Sequence, residues 1–325
     1  MARSLTRSAE SRHTDGFFMY GVRLTWADLP RDVHDAVAAM LGAPVVAAES
    51  QPGGFSPGSA DRVRTADGTR AFVKAVSTQQ NPDSPGLHRR EGEVLAQLGT
   101  LTDAVPRLLG VHDDGDWLAL VIEDVDGRHP RLPWERQELA AALEALAEIA
   151  QVEAPPEWNG LEVEIAGEMA CWERVVAEPP EDLDPWARER LTDLVELAAL
   201  TVPRLAGDRV AHTDVRADNL LVRPDGSVRV IDWPWATRGA PWADAAMLLL
   251  NVRWAGDLDV RPHLPALHAL GAEPEDVVGL VAGLTGFLVD ACRRPPSPGL
   301  PTLRAFQREQ ARGGLALLRE LWPDG

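Results

Sequence analysis

The chain contains a single lysine, Lys74; the other 31 of its 32 Lys and Arg residues are arginine. Cysteine is nearly as scarce. Cys171 and Cys292 are far apart and sit in no metal-like spacing, which excludes a disulfide framework and fits a reducing compartment. No stretch approaches the run of about 20 apolar residues that a membrane span needs. The opening "MARSLTRSAESRHTDGFF" has no apolar h-region and does not read as a signal peptide. Cytoplasm is therefore the expected location, with no membrane partner. Positive charge is short overall: the formal net charge is −18, which argues against nucleic acid, whose phosphates need basic partners. The same charge would steer a cationic ligand inward, or would serve solubility alone. There is no internal repeat, no low-complexity tract and no GxxxxGK[ST] loop, so a P-loop kinase is excluded.

What is present is 325 residues, 45% hydrophobic and 25% charged, enough for one large or two smaller globular domains. A lysine is a compact point charge on a flexible stem, an arginine a wide planar fork. An ammonium kept at position 74 fits a site that a fork would not; the alternative is codon bias that left one surface straggler.

Along the chain, residues 1 to about 20 read as a disordered tail, with Met19 an alternative start. Pro30 opens a short helix that Gly42 closes. Strands are expected near 43–50, 60–66 and 69–77, then a helix from Ser84-Pro85 to Gly99, then strands in "VPRLLGVH" and "DWLALVIED". After "DVDGRHPRLP" the texture turns helical, over 134–152, 165–177 and 185–201, and again over 241–255, 274–291 and 302–322. The fold class expected is α+β and two-lobed: a β-rich lobe over 26–126 with one main helix, a larger helical lobe over 127–325, and a hinge near 124–131.

The most informative stretch is "VAHTDVRADNLLVRPDGSVRVIDW", residues 210–233. "LLVR" and "VRVI" read as hairpin arms around "PDGS". Without a bulge, Arg223 faces Val228, Leu220 faces Ile231, and Asn219 faces Asp232. Opposed residues lie roughly 4.5–5.5 Å apart, so an amide oxygen and a carboxylate could share Mg²⁺. Asp214 brings a third polar group nearby. The plainer reading is a polar turn whose side chains satisfy local backbone.

"RAFVKAV" alternates, with Phe72, Lys74 and Val76 on one face. At about 100° per residue, the following helix places Leu87, Val94, Leu95 and Leu98 in one stripe with Glu91 at its centre. A carboxylate there is costly without a cation, and Lys74 is the candidate. The alternative is an exposed glutamate on a poorly buried helix.

His212-Thr213-Asp214, then Asn219, then Asp232 and "IDWPWATRGAPWADAAMLL" resemble the catalytic loop and metal segment of the protein-kinase-like fold, in its aminoglycoside phosphotransferase branch. The resemblance runs from about residue 45 to the C-terminus. It implies that Asp214 accepts the proton of an attacking hydroxyl, that Asn219 and Asp232 hold Mg²⁺, and that Lys74, paired with Glu91, contacts the α- and β-phosphates of ATP or GTP. His212 would brace the loop and Asp244 would support it from below. Arg216 stands where a phosphate-contacting lysine is often found, or is simply exposed to solvent.

Gly53, Gly54, Ser56 and Gly58, in "QPGGFSPGSADRV", would cover the phosphates with backbone N–H groups like the short "GG" loop of that branch, and taken alone the stretch reads as an ordinary β-turn. Backbone around Glu123 and Val125 would hold adenine, and the acidic side chains there could be solvated. Thr213 departs from the glycine usual between His and Asp, a strain if positive φ is required.

The implied activity is transfer of the γ-phosphate to a hydroxyl of a small molecule, an aminoglycoside or related aminocyclitol. Sugars, choline-like alcohols, homoserine and macrolides are the other acceptors the resemblance allows. Acidic candidates for an acceptor pocket are Glu178, Glu181, Asp182, Asp184, Asp290 and Glu309. Two competing classes are a non-catalytic nucleotide-binding module on the same fold and a protein kinase. The latter is disfavoured by the short connection from Asp232 to Asp244.

Overall fold

The computed structural model describes residues 24–51, 58–82, 84–295 and 302–322. The tail expected over residues 1 to about 20, with Met19 in it, lies outside these residues, as do Gly53, Gly54 and Ser56.

Helix α1, Arg31–Leu41, starts after Pro30 and stops at Gly42, whose φ of 78° is left-handed and suits a residue without Cβ. Strands β1 (Val45–Ser50), β2 (Ser59–Thr65) and β3 (Arg70–Ser77) precede α2 (Ser84–Leu98), and β4 (Leu108–Asp113) and β5 (Trp117–Glu123) follow it. They form one antiparallel sheet in the order β1-β2-β3-β5-β4.

Alternation along β3 divides its side chains between two cores. Ala71, Val73 and Ala75 join Val33 and Val37 of α1 on one side. Phe72 faces the other way, packing against a core that holds Val94, Leu95 and Leu98 of α2. Lys74 shares that second face, as the alternation predicts.

The second half is helical. Helix α3 spans Arg136–Ile149 and the short α4 Leu161–Glu164, while the helix expected over 165–177 is two pieces, α5 (Ala166–Met169) and α6 (Cys171–Ala177). Ile165 and Ala170 leave helical ψ at the joints. Leu161, Met169, Trp172 and Val175 reach the core from these pieces. The expected helix over 185–201 likewise divides at Arg190 into α7 (Pro185–Glu189) and α8 (Leu191–Thr201).

Short strands β6 (Arg209–Ala211), β7 (Leu220–Val222), β8 (Val228–Val230) and β9 (Thr237–Gly239) come next, pairing β6 with β9 and β7 with β8. Helices α9 (Ala243–Ala255), α10 (Leu264–Ala269), α11 (Pro274–Ala291) and α12 (Leu303–Leu321) complete the described chain. Glycines make α11 smooth where the small helices press on it: a Cβ at Gly286 would meet the Trp172 ring at 2.6 Å. Cys171 and Cys292 form no disulfide. No helix among the described residues is long and apolar enough to cross a membrane.

The β7–β8 register differs by one residue from the expected one. Arg223 N–H donates to Ser227 O at 2.8 Å and Gly226 N–H to Arg223 O at 2.9 Å, with Gly226 at φ 85°. The loop is therefore three residues, Pro224-Asp225-Gly226, with glycine in the left-handed position. Leu220 faces Val230 and Val222 faces Val228. Asn219 accepts from the Ile231 N–H at 2.9 Å, and Asp232 falls one residue beyond, at φ 70°.

Candidate active site

Lys74 sits at the centre of a three-residue knot. Its Nζ donates to Glu91 Oε1 and Oε2 at 2.7 and 2.8 Å, and to Asp232 Oδ1 at 2.7 Å. Three donors meet three oxygens, which a planar guanidinium could not do from one point. The expected pairing with Glu91 is present, so the exposed-glutamate alternative fails. Glu91 also accepts from the Trp233 N–H at 3.4 Å.

The two carboxylates differ in what remains open. Glu91 is 3% exposed, whereas Asp232 keeps 44% of its side-chain surface. Burial raises the Glu91 pKa despite the opposing pull of Lys74. Burial works the same way on Asp232, but there the Lys74 ammonium prevails and holds the carboxyl down at about 2. Lys74 is itself pushed upward: burial disfavours its charge, and Asp232 and Glu91 outweigh the burial. Asp232 is thus an ionised carboxylate with open surface, and Glu91 a buried anchor.

The loop carrying Asp214 is held from below. Asp244 is buried and accepts the N–H of His212 at 2.6 Å and of Thr213 at 2.9 Å. His212 Nδ1 accepts the Asp214 N–H at 3.2 Å while Nε2 donates to Ile231 O at 3.0 Å, a pattern that fixes the Nε2–H tautomer. Its ring meets Trp233 edge-on at 4.5 Å. Both expected supporting roles are seen.

Thr213 does adopt φ 68°, the positive value at which a β-branched residue is strained. Its Oγ1 donates to Trp235 O at 3.0 Å.

Asp214 is fixed by Asn219, whose Nδ2 donates to Asp214 O at 2.8 Å and Oδ2 at 3.1 Å. Arg216 Nη1 lies 3.3 Å from Asp214 Oδ1, and its other nitrogens hold Asp218 at 3.1 Å. Arg216 is 20% exposed, so the solvated alternative does not describe it. Burial raises the Asp214 pKa against the pull of Arg216 and His212.

The expected hinge residues are engaged rather than solvated. Glu123 accepts from Arg107 N and Nε at 3.1 and 3.3 Å, and Asp124, 2% exposed, pairs with Arg62 and Arg70. Val125 is buried, with its carbonyl taken by Arg62 at 3.1 Å. Two of the acidic acceptor-pocket candidates are also spent. Asp290 is gripped by Arg174, Arg293 and Arg294, and Asp184 caps α7 and holds Arg319.

A small sheet lobe whose lysine is gripped by a helix glutamate, joined to a helical lobe that offers Asp214, Asn219 and Asp232, defines a kinase-like phosphotransferase. The profile of the phosphotransferase enzyme family matches residues 54–280, and the chain belongs to that family of small-molecule kinases.

Solved structures agree on the fold. A macrolide 2'-phosphotransferase from Brachybacterium faecium superposes with a TM-score of 0.56 at 19% identity, over 91% of this chain and 99% of that one. An aminoglycoside phosphotransferase from Alicyclobacillus acidocaldarius gives 0.53 at 16%, covering 84% and 91%. An amicoumacin kinase in complex with AMP-PNP, Ca²⁺ and Ami gives 0.53 at 15%, covering 88% and 94%. No curated relative matches the chain by sequence.

Proposed function

We propose that this protein transfers the γ-phosphate of ATP or GTP, with Mg²⁺, to a hydroxyl of a small molecule, and that the acceptor is an aminoglycoside or related aminocyclitol. The observation that carries the reading is the Lys74 ammonium, shared between Glu91 and Asp232 while Asp214 stands braced by Asn219. All three N–H groups of this ammonium are spent on Glu91 and Asp232, so it would contact a phosphate oxygen by releasing Asp232 to the metal.

The donor set suits Mg²⁺, which takes one or two carboxylates and fills its remaining positions with water and phosphate. Asp232 offers open carboxylate surface. Asn219 spends its nitrogen on Asp214, leaving Oδ1 as the second ligand. When bound, the metal supplies positive charge against the phosphate oxygens. Asp214 takes the proton as the acceptor oxygen bonds to phosphorus and the bridging bond to the departing nucleoside diphosphate breaks. Arg216 keeps that carboxylate oriented and offsets charge beside it. The Val125 N–H has no hydrogen-bond partner among the described residues, which suits an adenine acceptor nitrogen. Gly53, Gly54 and Ser56 would close over the phosphates. The lobes would divide near residue 126, with the cytoplasm as the setting.

A panel of aminocyclitols, macrolides, sugars, choline-like alcohols and homoserine, each with ATP or GTP and Mg²⁺, tests the reading against Asp214→Ala. Phosphorylation of one acceptor class, lost by at least a hundredfold in the variant, is expected. Nucleotide binding without turnover of any acceptor would instead favour a binding module, for which the braced Asp214 has no use.

A further inference from the structure

We propose that Arg90 is a positioning residue that latches α2 to the segment following Asp232 and so keeps Glu91 on Lys74. Arg90 and Glu91 are neighbours in α2 and face different partners. The Glu91 carboxylate turns to Lys74 and the Trp233 N–H. The Arg90 guanidinium lies 4.4 Å over the buried ring of Trp158 and donates from Nη2 to Ala236 O at 3.0 Å. Glu93, one turn on, completes its setting at 3.7 Å.

The helix rests on β3, β4 and β5 of its own lobe, and these contacts do not tie it to the second lobe. Two side chains reach across: Glu91 to Trp233 and Arg90 to Ala236, three residues apart on the same segment. Arg90 also reaches Trp158, which belongs to the loop before α4. The same segment is pinned to the catalytic loop by Thr213, whose hydroxyl donates to Trp235 O. Loss of the guanidinium would remove the polar tie from α2 to Ala236 O and Trp158, and a buried carboxylate on a less firmly anchored helix has more freedom to leave Lys74.

The contact has the chemistry of a guanidinium slot. An aromatic face takes the planar cation, a carbonyl oxygen takes one N–H, and a carboxylate balances the charge. Beside it lies a recess of about 330 Å³ lined by Arg90, Glu93, Gln97, Trp158, Trp235 and Thr237. It is wide enough to admit a free methylguanidinium ion.

Because Lys74 is the only lysine, protein labelled with ¹⁵N at lysine Nζ gives one side-chain ammonium signal, which reports the knot directly and without nucleotide. Wild type should show a slowly exchanging ammonium. Arg90→Ala should speed its exchange with solvent at least tenfold and move the signal toward that of Glu91→Gln. Methylguanidinium chloride should reverse the change, and tetramethylammonium chloride at equal concentration should not.

Arg89→Ala, on the same helix, which removes an exposed pair with Asp113 of β4, should leave the signal unchanged. Arg90→Met keeps the stem and covers the case in which Arg90→Ala does not fold. Wild-type exchange in the folded Arg90 variant overturns the latch, as does an equal effect from Arg89→Ala or failure of methylguanidinium to restore the signal. The readout requires no phosphotransfer, so it stands or falls separately from the proposed activity.

Discussion

Asp244 holds the backbone of Thr213 by accepting its N–H at 2.9 Å, on a residue whose φ is 68°. A β-branched side chain at positive φ costs about 1–2 kcal/mol. The Thr213 hydroxyl returns about 1 kcal/mol through its bond to Trp235 O. Thr213→Gly removes the strain, loses that bond and adds about 0.5–1 kcal/mol of unfolded-chain entropy; the effects nearly cancel. Thr213→Val keeps the strain and loses the bond. Urea denaturation should place Thr213→Gly within about 1 kcal/mol of wild type and Thr213→Val about 1–2 kcal/mol below it.

The knot around Lys74 makes an asymmetric prediction. Removing the ammonium strands two carboxylates, but Asp232 is 44% exposed and can be hydrated while Glu91, at 3%, cannot. Lys74→Met should therefore cost roughly 3–5 kcal/mol, as breaking one side of a buried pair does. Adding Glu91→Leu should recover most of that, since two apolar side chains can replace a buried pair with little loss. Equal melting temperatures for the single and double variants would contradict the assignment of Glu91 as the buried partner. Lys74→Arg should remain folded yet lose phosphotransfer at least tenfold, because a fork cannot meet three oxygens from one point.

Much of this site is legible in the sequence because it depends on periodicity. The two-residue period puts Lys74 on the inward face of β3, and the helical period puts Glu91 in the apolar stripe of α2, and the structure has both there. Asn219 and Asp232 are legible as residues but not as a pair. Gly226 adopts left-handed φ and closes the turn one residue earlier than expected, which shifts every opposed pair in the hairpin. Strand β9 is not legible because "TRG" carries no alternation, and α5 and α6 read as one helix because Ala170 between them is neither Pro nor Gly. Arg90 looks like any surface arginine on a polar helix face; only the fold brings Trp158 and Ala236 to it.

Asp290 is a separate source of stability and should show in acid. It is 4% exposed. Burial would raise its pKa, but Arg294, Arg174 and Arg293 together hold it down at about 2. The folded-state pKa is below the unfolded value, so the unfolded chain binds more protons between them. Stability from this group is complete above about pH 4, near the ordinary Asp value, and falls as pH drops toward 2. Asp290→Asn should cost on the order of 2 kcal/mol at neutral pH. The variant's deficit should shrink between pH 4 and pH 2; a deficit unchanged across that range would show that the knot acts through packing alone.

The pH dependence of turnover should report Asp214. Burial raises its pKa, with Arg216 and His212 pulling the other way. A base must be ionised to accept the hydroxyl proton, so kcat/KM should fall with unit slope as pH drops through a value above that of an ordinary aspartate. Arg216→Met removes a cation 3.3 Å from Oδ1, favouring the protonated form, and the limb should move to higher pH. A limb that stays in place, or moves down, would mean that the titrating base is not Asp214 or that Arg216 does not act on its charge. Asp232, the proposed metal ligand, is held down at about 2, so it does not produce a limb in that range.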